Sequence, residues 1–253
     1  MDNITYFIGA NKNWGDRLNP IIYKNITGRD SHYKDFLSKD NTLCMIGSIL
    51  DAISNENAIV WGSGCMFENG VISLKKLDIR AVRGKLSRER LLKNKISCPE
   101  IYGDPALLFP RFYNPIIEKK YKIGIIPHYV DKTNDWLIKN CHSDEIKIID
   151  ICSEAHEFVR QVKECDIIAS SSLHGLICAD SYNIPSIWLK FSDKIAGNGF
   201  KFMDYFSSVG RLNETSFIVD SKTTIQDIIN KVKKYEIQID LDLLLKAFPY
   251  ENS

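Results

Sequence analysis

"DIIASSSLHGLICADSYNIPSIWL" occupies residues 166–189. An apolar run ends in Ser170, Ser171 and Ser172. His174 and Gly175 follow, then an apolar-periodic segment, Pro185 and a second apolar run. The segment has Leu176, Ile177, Ala179 and Tyr182 at helical spacing, and the runs on either side are short enough for buried strands. Strand, helix and strand in that order make a crossover unit, and repeated units of this kind build a parallel sheet covered by helices.

The same alternation extends in both directions. Further strand candidates are residues 5–9, 43–46, 58–61, 79–82, 123–127 and 147–151, with helical patterns at 15–26, 85–94 and 153–164. The fold class is α/β. The pattern breaks at 109–120, "FPRFYNPIIEKK", where two prolines and a charged end suggest a linker between two halves of about four strands each. Residues 1–113 are expected to form one Rossmann-like domain. Residues 121–253 form the other, with helices at 223–235 and 240–250 closing the chain. No internal repeat is visible in the sequence.

Composition narrows the class of function. The chain has 253 residues, 44% hydrophobic and 26% charged, with a net charge of +1. That balance suits a globular protein with a sizeable core and offers no strong field for nucleic acid or acidic lipid. No stretch approaches the length of apolar sequence that spans a bilayer, and residues 1–11 do not read as a signal peptide. The seven cysteines are dispersed without C-x-x-C spacing, as expected of reduced thiols in the cytoplasm. The histidines are too widely spaced for a metal site, so no metal is expected.

In open α/β sheets, ligands bind beyond the carboxyl ends of the strands. The first strand is followed by Asn13, Gly15 and Asp16 ahead of a helix, which by itself reads first as an ordinary N-cap and second as a ligand loop. "GSGCMF" after residue 61 lacks the third glycine of a dinucleotide fingerprint. Arg83 ends another strand and offers a fork for carboxylate or phosphate, or a structural ion pair. Asp104, in "YGDPALL", is placed to cap a short helix, and His128 follows a strand of the second half. In the opening stretch Ser171 or Ser172 is the expected N-cap. Leu173, His174 and Gly175 then present backbone N–H groups where the dipole favours an anion, with His174 suited to proton transfer. G-x-S-x-G is absent, which argues against a serine hydrolase.

Taken in order, "NWGD" at 13–16, "GSG" at 62–64, "AVRG" around Arg83, "YGDPALL", "IPHYVD" and "SSSLHGLICADSYNIPSIWL" resemble the polysaccharide pyruvyl transferases over roughly residues 4–205. "KFMDYF", from Lys201, is similar to a further segment of that family. The resemblance implies a GT-B-like fold, with two Rossmann-like domains facing a cleft. It implies transfer of the pyruvyl group of phosphoenolpyruvate to two hydroxyls of a sugar in a surface polysaccharide or its precursor, forming a ketal without a cofactor. On this reading His174 and Asp16 are catalytic. Arg83 of the first domain and Ser171, Ser172, Leu173, Gly175, Lys190 and Lys201 of the second bind the donor, which is expected on the second domain's side. Asn13, Gly15, Asp104 and His128 serve the acceptor, a glycan or lipid-linked oligosaccharide, in the cytoplasm or at the inner face of its membrane. Some family members carry arginine where this chain has Ser172, so that arginine's anion-binding role is either absent here or met elsewhere, for example by Arg83, Lys190 or Lys201. A glycosyltransferase using a nucleotide-sugar, and a sugar-binding protein without catalysis, are the alternative functions. The sequence leaves the acceptor sugar and the oligomeric state open.

Overall fold

The computed structural model describes residues 2–70, 72 and 77–250. Its architecture is two parallel five-stranded sheets with helices, as the α/β and GT-B-like expectations have it. The first sheet holds β1 (Asp2–Thr5), β2 (Ser31–Tyr33), β3 (Thr42–Cys44), β4 (Ala58–Trp61) and β5 (Asp78–Ala81) in the order β2-β1-β3-β4-β5. The second holds β6 (Tyr121–Ile126), β7 (Ile146–Ile148), β8 (Cys165–Ser170), β9 (Ser186–Lys190) and β10 (Phe217–Ile218) in the order β7-β6-β8-β9-β10. Counted within each half, the two orders are identical. A repeat absent from the sequence is thus present in the topology. Each sheet reverses its winding once, between β1 and β3 and between β6 and β8, and a crevice opens at such a reversal.

The helices are α1 (Trp14–Thr27), α2 (Lys85–Lys93), α3 (Asp135–Asn140), α4 (Ala155–Lys163), α5 (Leu173–Ser181), α6 (Phe200–Ser208), α7 (Ile225–Lys231) and α8 (Leu241–Lys246). A 3-10 turn covers Pro105–Arg111. No helix among the described residues is long and apolar enough to cross a membrane.

Local chemistry accounts for α1, which enters the crevice. Asn13 caps Gly15 and Asp16, and the Asp16 carboxylate returns a bond to the Asn13 N–H, forming a capping box. Gly28, at φ 69°, ends the helix in a left-handed conformation that costs glycine little. Pro20 lies inside α1 and leaves the Asp16 carbonyl without its helical donor. The Asn19 side chain replaces that donor, giving its amide to the carbonyls of Asp16 and Gly15 at 3.3 Å. The same amide reaches the Ile46 carbonyl, and its oxygen accepts from the Ile46 N–H. A proline defect is therefore repaired by a residue that also fixes α1 to the loop after β3.

The two halves share one core. Ile4, Trp14 and Leu18 of the first half belong to the same buried cluster as Phe158, Leu176 and Tyr205 of the second. Trp14 packs on Phe158, and its Nε1 donates to the Ala155 carbonyl at 3.1 Å. Two further clusters cover the far faces of the sheets. The expected linker starts later than the sequence implies. Phe109 is fully buried in the core, and the irregular chain begins at Phe112, with Ile116 completely exposed. At the other end, α8 returns to the first half, where the Leu244 carbonyl accepts from Trp61 Nε1 at 2.8 Å.

An ionic joint ties the halves as well. Arg83 and Asp204 are both 0% exposed. The guanidinium donates to the Asp204 carboxylate at 3.0 and 2.9 Å and to the Cys65 carbonyl at 2.7 Å. Asp204 also accepts from the Ser87 N–H and hydroxyl, both at 2.7 Å, so it caps α2 from α6. The fit leaves no room for a side chain at residue 84, where an added Cβ would lie 1.8 Å from the Asp204 carbonyl oxygen.

Removing one member of a buried ion pair strands the other. Asp204→Ala is expected to lose about 3–5 kcal/mol of stability. Chemical denaturation, followed by tryptophan fluorescence, measures this. A change below about 1 kcal/mol would show the joint to be dispensable.

Candidate functional site

The loops at the two points of reversal face one another across a cleft of about 270 Å³. Asn13 and Asp16 follow β1, and Gly47 and Ser48 follow β3. His128 and Tyr129 follow β6, and Ser172, Leu173 and His174 follow β8. Lys201 enters from α6, while Phe7, Phe36, Ile49, Ala52 and Met66 line the cleft with apolar surface. Three larger hollows, of about 750, 450 and 380 Å³, lie elsewhere. Their buried cations, Arg90 and Arg211, are already paired with Asp51 and Asp180.

The serines build the start of α5. The Ser170 hydroxyl accepts from the Ser172 N–H at 3.0 Å and approaches the Ile126 and Ser172 carbonyls. The Ser171 hydroxyl accepts from the His128 N–H at 2.8 Å and donates to Asp131 at 3.0 Å, joining the loops after β6 and β8. Ser172 is the N-cap, but its side chain makes no capping bond. The hydroxyl remains available at the cleft, in the first turn of a helix whose dipole favours negative charge.

Four ionisable groups meet here. Lys201 is buried and forms no hydrogen bond or ion pair among the described residues; its ammonium lies 5.7 Å from the Phe202 ring. Burial, with the nearby Arg83 charge, lowers its pKa to about 8, against the pull of Asp16. Asp16 moves the other way: burial lifts its carboxyl to about 6, opposed by His174, the Asn13 N–H and the lysines. Burial, aided by Lys201 and His174, depresses His128 to about 4, so that ring is neutral at pH 7. His128 Nδ1 accepts from the Val130 N–H at 3.3 Å, which leaves the ring proton on Nε2. The His174 ring lies against the α1 backbone, where a Cβ added to Gly15 would come within 2.3 Å of it. Its Nε2 is 3.6 Å from the Asp104 carboxylate.

This geometry combines an unpaired cation, a helix start and two imidazoles at the reversals of two like sheets. A profile of the family described as "Polysaccharide pyruvyl transferase" matches residues 26–193, well over half of the chain. The chain belongs to the polysaccharide pyruvyl transferase family. It is 34% identical over 179 residues to uncharacterized protein L143 of Acanthamoeba polyphaga mimivirus, an alignment covering 65% of this chain and 59% of that one. It is 28% identical over 217 residues to the succinoglycan biosynthesis protein ExoV of Rhizobium meliloti (strain 1021), covering 81% and 64%. The chain thus spans about three fifths of the length of these curated relatives. A solved structure of an uncharacterized Klebsiella pneumoniae protein overlaps 87% of this chain and 93% of its own at TM-score 0.47 and 11% identity.

For this pyruvyl transferase family member, the structure sorts the residues that the sequence singles out. His174, Asp16, Ser172, Leu173, Lys201, Asn13 and His128 line the cleft. Arg83 does not, because its guanidinium is buried on Asp204, Ser48 and the Cys65 carbonyl. Ser171 is 0% exposed, tied to Asp131 and His128. Gly175 packs on Ser170, and Gly15 lies beneath His174. Asp104 is 0% exposed and caps the Pro105–Arg111 turn through Ala106, so it cannot touch an acceptor. Lys190 lines a different hollow and pairs with Asp193 at 2.6 Å. Of the three cations offered for the missing arginine, Lys201 alone shares the cleft with Ser172. Sequence reasoning missed Gly47 and Ser48. They follow β3 as directly as His128 follows β6, so the same strand-end rule applied to β3 would have found them.

If Lys201 receives an anion, binding above its free pKa must take up a proton. Affinity for a small anion such as inorganic phosphate should hold below about pH 8 and weaken as pH rises beyond it. In Lys201→Arg the cation persists, so that decline should vanish. Calorimetric titration across pH 6.5–10 tests this; equal slopes for the two proteins would remove Lys201 from the anion site.

Proposed function

We propose that this protein transfers the pyruvyl group of phosphoenolpyruvate to two hydroxyls of a sugar in a polysaccharide or its precursor, releasing phosphate and leaving a cyclic ketal. The observation that carries this reading is the unpaired, buried ammonium of Lys201 in one cleft with the start of α5 and His174. Phosphoenolpyruvate is small and multiply anionic. It suits a single buried cation, the Leu173 and His174 N–H groups and the Ser172 hydroxyl better than it suits a solvated surface patch.

The chemistry needs one proton delivered to carbon and one removed from each hydroxyl. His174, as imidazolium, gives a proton to the methylene carbon, which becomes a methyl group, and positive charge develops at the adjacent carbon. The first sugar hydroxyl bonds to that carbon and passes its proton to Asp16. The carbon–oxygen bond to phosphate then breaks, and Lys201 holds the departing anion. The second hydroxyl closes the ring and returns a proton to His174, while the proton on Asp16 leaves with phosphate. Asp16 suits the role of base because burial places its pKa near 6, leaving it ionised at neutral pH yet basic enough to accept a proton. His128, neutral and with N–H at Nε2, is a hydrogen-bond donor for a sugar hydroxyl or for the carboxylate. The acceptor is a glycan, free or lipid-linked.

Incubation with phosphoenolpyruvate and a panel of hexosides tests the reading. Phosphate release should match formation of a product heavier by one pyruvic acid less one water. His174→Ala should lower the rate by about 10²–10⁴-fold. Stabilisation by a nucleoside diphosphate, with phosphoenolpyruvate inert, would instead indicate a glycosyltransferase.

A further inference from the structure

Four buried side-chain polar atoms lack a hydrogen-bond partner among the described residues, and two of them face each other: Asp104 Oδ2 and His174 Nε2, 3.6 Å apart. A lone orphan of this kind is a packing flaw; two complementary ones belong together, since each costs free energy until it is paired. The halves of the pair come from different ends of the fold. Asp104 opens the 3-10 turn after the first sheet, with Oδ1 held by the Ala106 N–H at 3.0 Å and Oδ2 left over. His174 stands in the first turn of α5, its ring fixed against the α1 backbone at Gly15.

We infer that Asp104 is a positioning residue that keeps a proton on Nε2 of His174, so that Nδ1 is the nitrogen exchanging protons with the substrate. This deepens the proposed function and rests on it for the identity of the substrate. The physical argument is local. A fully buried carboxylate can only accept a hydrogen bond, so a neutral imidazole beside it is favoured as the Nε2–H tautomer. When Nδ1 also carries a proton, the carboxylate faces a full positive charge and the 3.6 Å separation contracts to a charge-assisted bond. Asp104 itself never meets substrate. When the imidazolium donates, the proton that leaves is the one on Nδ1, and the proton on Nε2 stays against Asp104.

The test uses two variants that keep the cap on Ala106. Asp104→Asn offers an amide N–H to Nε2 and so demands the opposite tautomer; Asp104→Ser retains an N-cap oxygen but does not reach the ring. Nitrogen-15 spectra of histidine-labelled protein, assigned by difference from His174→Gln, report the tautomer directly. The native protein should show His174 with its proton on Nε2. Asp104→Asn should move that proton to Nδ1, and Asp104→Ser should give a mixture. In parallel, kcat for ketal formation should fall by about 10²–10⁴-fold in Asp104→Asn, with KM for phosphoenolpyruvate within about twofold of native. An unchanged tautomer in both variants, or a native Nδ1–H tautomer, overturns the inference. The expected tautomer shifts with no ketal formed from any acceptor would leave the pair in place and reject the proposed function instead.

Discussion

The joint between Arg83 and Asp204 sets the conditions for the rest of the molecule. Each residue stands at the edge of its own half, and neither tolerates exposure of its partner's charge to an apolar interior. Their pairing brings α2 and α6 together, and Lys201 lies on α6, three residues before Asp204. The cleft therefore has a cation at a fixed place because a different cation, Arg83, has a carboxylate. GT-B-like architecture is often discussed as two bodies with a gap between them. Here the shared core around Trp14 and the ionic joint make the gap a feature of one body.

Inside the cleft the balance is reversed. Lys201 is kept from a carboxylate, Asp16 is lifted toward neutrality and His128 is held neutral. Each shift marks charge that the folded protein stabilises less well than water does. For Lys201 the sign is clear: the folded pKa of about 8 lies below the ordinary 10.5, so keeping this lysine charged at neutral pH costs the free protein stability, a cost that fades as pH rises from about 8 toward 10.5. Such a cost is characteristic of a group kept for what it binds. The surrounding residues show the opposite pattern, with nearly every buried hydroxyl and amide paired, as in the Ser170, Ser171 and Asn19 networks.

How far the sequence could be read follows from the range of the interactions. The alternation of apolar runs and helical patterns is local, so the sheet class and most helices were legible. The short edge strands β2 and β10 were not, since two or three residues with polar neighbours carry no periodic signal. The apolar run at residues 5–9 was misplaced for an instructive reason. Pairing ends at Thr5, and Phe7 continues past the sheet to line the cleft, so its hydrophobicity serves the pocket. In the site, strand ends identified the right loops, but not which side chain in each loop faces inward. Arg83 and Lys201 are both cations at plausible places. What separates them is Asp204, which is 121 positions from Arg83 and invisible to any window of sequence.

The segment after Phe112 runs on the surface, anchored where the Tyr113 carbonyl accepts from the Tyr182 hydroxyl at 2.6 Å. Its Ile116 is fully exposed, while the core it connects is continuous on either side. The covalent link between the halves is therefore mechanically idle once the chain has folded. A break in this segment would divide the polypeptide into two pieces that still had every reason to stay together, and the cleft would depend on their shared interior rather than on an unbroken backbone.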